Sequence, residues 1–198
     1  MCLILTEDEL SEAVALKLLA EKMVDRHTIT CFGREGSGFL RRNLHKYSAA
    51  AGNGRRVLML TDLDQRACAP AMRAEWFVDR AIHPRLLFRV VVREIETWVM
   101  ADRSAFAAFL GIPPGRIERN IEGIQQPKEY LLQLATRGRR DIRRDLLPVT
   151  SAIASKGMGY NHRLVAFVRG EWSAQRASES APSLMRARQR LDAWVRLL

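Results

Sequence analysis

Four short apolar runs, each followed by a segment with helical periodicity, constrain this chain more than any other feature. They are "CLILT" (2–6), "HTITCF" (27–32), "VLMLT" (57–61) and "RLLFRVVV" (85–92). Runs of this length, apolar and partly β-branched, read as strands, expected near 2–6, 27–32, 57–61 and 86–92. The segments between them read as helices. "EDELSEAVALKLLAEKMV" carries Leu10, Val14, Leu18, Leu19 and Met23 at helical spacing. "FLRRNLHKYSAAA" runs to the turn "GNG", "APAMRAEWFVDR" has Pro70 suited to a first helical turn, and "IETWVMADRSAFAAFL" is stopped by "GIPPG". Strands alternating with helices predict a parallel sheet, and strands apolar along their whole length predict a sheet covered on both faces. The expected fold class is therefore α/β, with a mainly parallel four-stranded sheet occupying residues 1–110. From 111 the pattern changes to helices and loops, in "PKEYLLQLATRG", "RRDIRRDLLPVTSAIAS" and "SLMRARQRLDAWVRLL". Residues 111–198 are expected to form a helical extension capping the core rather than an independent domain.

Composition narrows the function classes. No apolar run approaches the roughly 20 residues that cross a bilayer, so no membrane partner is expected. The opening "MCLILTEDEL" lacks a basic lead-in and a long apolar stretch, against a secretory signal. Cys2, Cys31 and Cys68 form no C-x-x-C pair, so neither a disulfide framework nor a zinc knuckle is indicated, and a cytoplasmic location fits. Lys and Arg number 32 against 22 acids, for a net charge of +10. Guanidinium forks match phosphate geometry, which makes nucleic acid the expected partner; a solvated basic surface is the plainer alternative. A homo-oligomer stays open.

Against that basic background, the acids at the strand ends stand out. Glu7 closes the first strand, Asp62 and Asp64 the third, and Glu94 and Glu96 follow the fourth. Ligands of open parallel sheets collect at the carboxyl ends of the strands. Side chains at i and i+2 of an extended segment point the same way, so Asp62 and Asp64 are expected to face one cation. Such hard oxygen ligands suit Mg²⁺ or Mn²⁺. The competing reading is that acids in these places form turns and helix caps.

The motifs "TEDELSEAVALKLL", "VLMLTDLDQ", "VREIETWVMAD", "QQPKEYL" and "SAPSLMRARQRL" resemble an uncharacterised bacterial TOPRIM-like family related to OLD-type nucleases. The resemblance implies a TOPRIM-like sheet and a metal-dependent nuclease acting on DNA or RNA. It makes Glu7 the catalytic glutamate and Asp62 and Asp64 the metal-binding pair with Glu7. Glu96 matches the acid after the fourth strand, with Glu94 as the fallback, and one of Glu7 or Glu96 would serve as general base. It further implies a partner ATPase of the AAA or ABC type in a bacterial defence system. Asp8 stands where the family has glycine, which weighs toward a non-catalytic adaptor.

Other motifs are weaker. "GREGSGF" has glycines at P-loop spacing, but Phe39 stands where lysine is required, so the segment reads as a loop, with Arg34, Arg41 and Arg42 available to nucleic acid. The arginine-rich "RGRRDIRRD" offers Arg139, Arg140, Arg143 and Arg144 as phosphate contacts or as a solvated helix face. His27, His45, His83 and His162 show no metal-ligand spacing. Lys156 has the chemistry to stabilise negative charge near the acids, though spacing alone does not put it there.

Overall fold

The computed structural model describes residues 1–22, 28–78, 81–148 and 155–196. The expectations that fall on 23–27, 79–80, 149–154 and 197–198 lie outside the described residues; they include His27 at the start of the second strand and Met23 on the first helix. β1 (Cys2–Thr6), β2 (Ile29–Gly33), β3 (Arg56–Asp62) and β4 (Leu86–Val91) form one sheet in the order β2-β1-β3-β4, with every neighbouring pair parallel. The fold class expected from the alternating pattern is thus the one observed, and the sheet is wholly parallel.

Strand side chains alternate between faces, and here both faces are apolar. Cys2, Ile4, Leu58, Leu60, Leu87 and Val91 point into one core, and Leu3, Leu5, Val57, Met59, Phe88 and Val90 into another. The second core is closed by α2 (Gly36–Arg42), α3 (Leu44–Gly52) and α4 (Ala69–Trp76), through Leu40, Tyr47, Met72 and Trp76. The single helix expected over 39–51 is two. It breaks at Asn43, whose Nδ2 turns back to donate to the Phe39 carbonyl at 2.9 Å.

The first core is larger. It takes in α1 (Glu9–Ala20), α5 (Ile95–Ala101) and α6 (Arg103–Leu110). It also takes in α7 (Pro127–Ala135), α8 (Arg140–Leu146), α9 (Tyr160–Gly170), α10 (Ala174–Ser180) and α11 (Pro182–Arg196). The helices after residue 111 therefore share one apolar cluster with the sheet. Every residue of α5 is buried, because the C-terminal helices surround it. The Trp98 indole of α5 donates to Ser183 Oγ at 2.8 Å, and the Trp172 indole donates to the Trp98 carbonyl at 3.0 Å.

The long helix expected from Ile95 to Leu110 is broken at Asp102. Its carboxylate, 1% exposed, accepts from the Ser173 backbone N–H at 2.9 Å and from two nitrogens of Arg176 at 2.9 and 2.7 Å. This cluster ties the start of α10 to the core. Replacing Asp102 with Ala leaves the Ser173 donor without its acceptor. Because Arg176 can rehydrate, the expected loss lies at the low end for a broken buried pair, about 3 kcal/mol. Urea unfolding of Asp102→Ala checks this; a loss below about 1 kcal/mol would mean that the pair is ornamental.

Candidate functional site

The strand order decides where a site can form. After β1 the chain crosses to β2 by way of α1 on one face; after β3 it crosses to β4 by way of α4 on the other. Connections leaving adjacent strands toward opposite faces open a crevice between their carboxyl ends. That crevice lies between Glu7, one residue past β1, and Asp62, the last residue of β3.

Glu7 is held by the end of the neighbouring strand. Its Oε1 accepts from the Thr61 hydroxyl and from the Asp62 backbone N–H, the latter at 2.8 Å. Burial pushes its carboxyl above the usual range, against which those two hydrogen bonds pull down. Asp62 is the more extreme. Burial first, then the charges of Glu7, Glu96, Asp8 and Asp64, push it well above an ordinary aspartate. Its Oδ1 is buried with no hydrogen-bond partner among the described residues. A buried carboxylate oxygen left unpaired costs free energy that a fold does not tolerate without a reason.

Glu96 approaches from the first turn of α5. It is 4% exposed and accepts from the Tyr160 hydroxyl of α9 at 2.8 Å. Burial raises its pKa, while the Tyr160 hydrogen bond and the charge of Lys128 lower it. Two cations flank this pair. Lys156 Nζ lies 4.9 Å and Lys128 Nζ 5.8 Å from the centre of the Tyr160 ring. Burial, and then the neighbouring Lys128, lower the pKa of Lys156, while Asp8 and Glu96 raise it. Lys156 thus stands at the acid cluster, a position that spacing did not give. Tyr160 and Lys128 were not anticipated at all.

Asp64 departs from expectation. The chain beyond Asp62 does not stay extended: Asp64 has φ +52, so i and i+2 do not share a direction. Its carboxylate is half-exposed and 3.8 Å from Arg66. Its backbone is clasped by Arg93, whose carbonyl accepts from the Asp64 N–H at 2.9 Å and whose guanidinium donates to the Asp64 carbonyl at 3.0 Å. The non-glycine residues with positive φ among those described are Arg34, Asp64 and Arg93, and they follow β2, β3 and β4 respectively. Backbone strain of this kind gathers where a site is being shaped. The fallback Glu94 is taken up structurally, accepting from the Lys128 N–H at 2.9 Å.

Asp8 caps α1, accepting from the Ser11 N–H at 2.8 Å in an extended conformation of φ −149. A glycine is not needed there. It is needed at Gly33, with φ +104, where a Cβ would collide with the Thr6 carbonyl oxygen. The glycine-rich segment is shorter than a loop over 33–38: α2 begins at Gly36, and the Arg34 and Gly36 N–H groups donate to the Thr6 and Glu7 carbonyls at 2.9 and 3.0 Å.

The arginines chosen from sequence are partly spent within the protein. Arg34 forks onto Glu12 at 2.9 and 2.6 Å, Arg41 pairs with Glu75 at 2.8 Å, Arg139 lies 3.7 Å from Asp141, and Arg144 lies 3.1 Å from Asp145. For Arg42, Arg140 and Arg143 no ion pair occurs among the described residues.

The donor set has the chemistry of a hard divalent ion, namely carboxylates with one buried oxygen unclaimed. Among the described residues, no three His, Cys, Asp or Glu side chains stand together in ligand positions, and Asp64 lies beside Arg66. Comparisons with protein-family models, with curated proteins and with solved structures return no match.

A carboxyl group whose folded-state pKa lies above its unfolded value stabilises the fold below that unfolded value, and the contribution is lost as pH rises through the folded pKa. Metal-free protein is therefore expected to lose stability from acid toward neutral pH. Asp62→Asn should flatten part of that fall and unfold at a higher temperature at neutral pH. Denaturation across a pH series in EDTA checks the sign; an equally steep fall in Asp62→Asn would clear Asp62 of causing it.

Proposed function

We propose that this protein is a metal-dependent phosphodiesterase of the nuclease type, acting on DNA or RNA with the acid cluster as its centre. The observation that carries the reading is Asp62, half-buried at the crevice with one buried and unclaimed carboxylate oxygen among Glu7, Glu96, Asp8 and Asp64. Every other acid there has a partner that accounts for its position: Thr61 and the Asp62 N–H for Glu7, Ser11 for Asp8, and Tyr160 for Glu96. Glu7, Asp62 and Asp64 would hold Mg²⁺ or Mn²⁺, Asp64 by leaving Arg66, and the ion would supply Lewis-acid stabilisation of charge on a phosphodiester. Glu7, more accessible than Glu96 and with its pKa already raised by burial, is the fitter proton acceptor for an attacking water. Glu96, closed in beneath Tyr160, positions that hydroxyl and keeps negative charge behind the site. Lys128 and Lys156 offset the acids and draw an anionic strand toward them.

The resemblance to the TOPRIM-like family supports the same reading and adds its context, a cytoplasmic effector working beside an AAA or ABC-type ATPase in bacterial defence. A second reading is a non-catalytic adaptor for that ATPase or for nucleic acid. The hydrogen bonds of Asp8 and Glu94 favour it, since both acids serve helix starts.

The two readings part at Asp62→Ala. For a metal site, Mg²⁺ or Mn²⁺ should raise the unfolding temperature of the wild type and leave that of the variant unmoved. The metal-free variant should be the more stable of the two, and cleavage of DNA and RNA, assayed with and without the ATPase, should vanish. For an adaptor, neither protein shows a metal-dependent shift in unfolding temperature and neither cleaves DNA or RNA in any condition.

A further inference from the structure

A second concentration of charge lies away from the acids, on the open lateral edge of the sheet. β4 is hydrogen-bonded to β3 on one side and borders a cavity of about 310 Å³ on the other. Its lining includes Leu86–Arg89 of the strand, Arg73 of α4 and Arg190 of α11, so three structural elements each deliver a guanidinium. Arg186 precedes Arg190 by one helical turn on α11 and adds a fourth positive charge felt by Arg89. No acidic side chain pairs with any of the four among the described residues. Arg89 is the least expected of them. It sits in the middle of a strand, opposite Leu60 of β3, and its stem also borders the narrow apolar gap lined by Leu58, Trp98 and Leu191. Its Nε is buried without a partner. Burial first, then Arg190, Arg186 and Arg73, disfavour its charge.

Three arginines lining one concave site, one of them anchored in the sheet and a fourth close by, repel each other unless an anion joins them. Arginine forks present paired N–H donors that match the oxygens of a phosphoryl group, and a cavity gathers them as a flat surface does not. We propose that the β4-edge cavity is a phosphate-binding site, in which Arg89, Arg73 and Arg190 hold a phosphoryl group with Arg186 as the outer charge. The cavity is large enough for one phosphorylated small molecule or a short stretch of phosphodiester backbone. It needs no metal and draws nothing from the acid cluster. EDTA in every buffer keeps its outcome separate from that of the cleavage reading.

The test measures thermal unfolding and titration calorimetry with inorganic phosphate, adenosine monophosphate and a short single-stranded oligonucleotide. It compares wild type, Arg89→Met and the double variant Arg73→Ala/Arg190→Ala. Wild type should be stabilised by at least one phosphate-bearing probe, more than by chloride at equal ionic strength, and should bind it about tenfold more tightly than either variant. Without probe, Arg89→Met should unfold at a higher temperature than wild type, because it removes a half-buried guanidinium whose Nε has no partner; an arginine kept for packing alone would give the opposite. Binding of phosphate or the mononucleotide marks a small-ligand pocket. Binding of the oligonucleotide alone marks a backbone contact, with a salt slope shallower by about one for each arginine removed. If no probe shifts wild type, or if the surface double variant binds as tightly as wild type, the site is not there.

Discussion

The two central strands, β1 and β3, are hydrogen-bonded on both sides and apolar on both faces, and the rest of the molecule follows from that burial. Cys2, Ile4 and Leu5 of β1 and Val57 and Met59 of β3 are fully buried. Strands of this kind need helices above and below them, and the crossovers supply them, α1 on one face and α2, α3 and α4 on the other. The first polar side chains can therefore appear only where the strands stop. Thr6 at the end of one strand and Glu7 just past it, and Thr61 and Asp62 at the end of the other, meet there because β1 and β3 are neighbours in register, Leu5 opposite Met59. The acid cluster is a consequence of where the apolar runs end.

How much of this was legible follows the same physics. The central strands were visible as unbroken apolar runs, and β3 exceeds its expected span by one residue at either end. Edge and loop regions were less legible because their signals are local compromises. The Gly36 helix start was hidden inside a glycine-rich stretch, and the helix breaks at Asn43 and Asp102 depend on side-chain hydrogen bonds that periodicity does not carry. The α9 helix had a readable pattern, with Tyr160, Leu164, Val165, Phe167 and Val168 buried at helical spacing, yet it lay between turn-like residues and was not picked out. At the site, Glu7 and Asp62 were singled out by strand ends, which offered Glu94 and Glu96 alike; the preference for Glu96 came with the family resemblance. Tyr160, 64 residues from the acid it meets, could not be found in this way: nothing local in "MGYNHR" encodes a partner on α5. The direction of Asp64 failed for a definable reason, since the period-2 rule holds only while the backbone stays extended.

Arginine density is only a partial guide to free charge. The segment 137–145 is rich in arginine, but it carries Asp141 and Asp145, and Arg163 from α9 adds a 2.6 Å contact to Asp145. These acids engage Arg139 and Arg144, while Arg137, Arg140 and Arg143 form no ion pair among the described residues. The arginines at the β4 edge come from "AMRAEW", "LLFRVV" and "MRARQRL", where none stands out in sequence. What sets them apart is that α4, β4 and α11 bring them to one place without bringing a carboxylate among the described residues. Unpaired charge is a property of tertiary arrangement, and a count along the chain does not measure it.

The strand register also relates the two charged regions. Arg89 pairs with Leu60, and Asp62 is two residues further along β3, so a half-buried basic and a half-buried acidic side chain, each with one buried unpartnered atom, flank the same strand pair. They do not neutralise one another: the charges that act on Arg89 are arginines, and those that act on Asp62 are carboxylates. A sheet built for stability alone would bring such groups together or replace both with the leucine and valine that fill the rest of β3 and β4. Holding them apart costs stability at each place. That cost is the common ground of the two proposals, a cation for the strand ends and an anion for the edge.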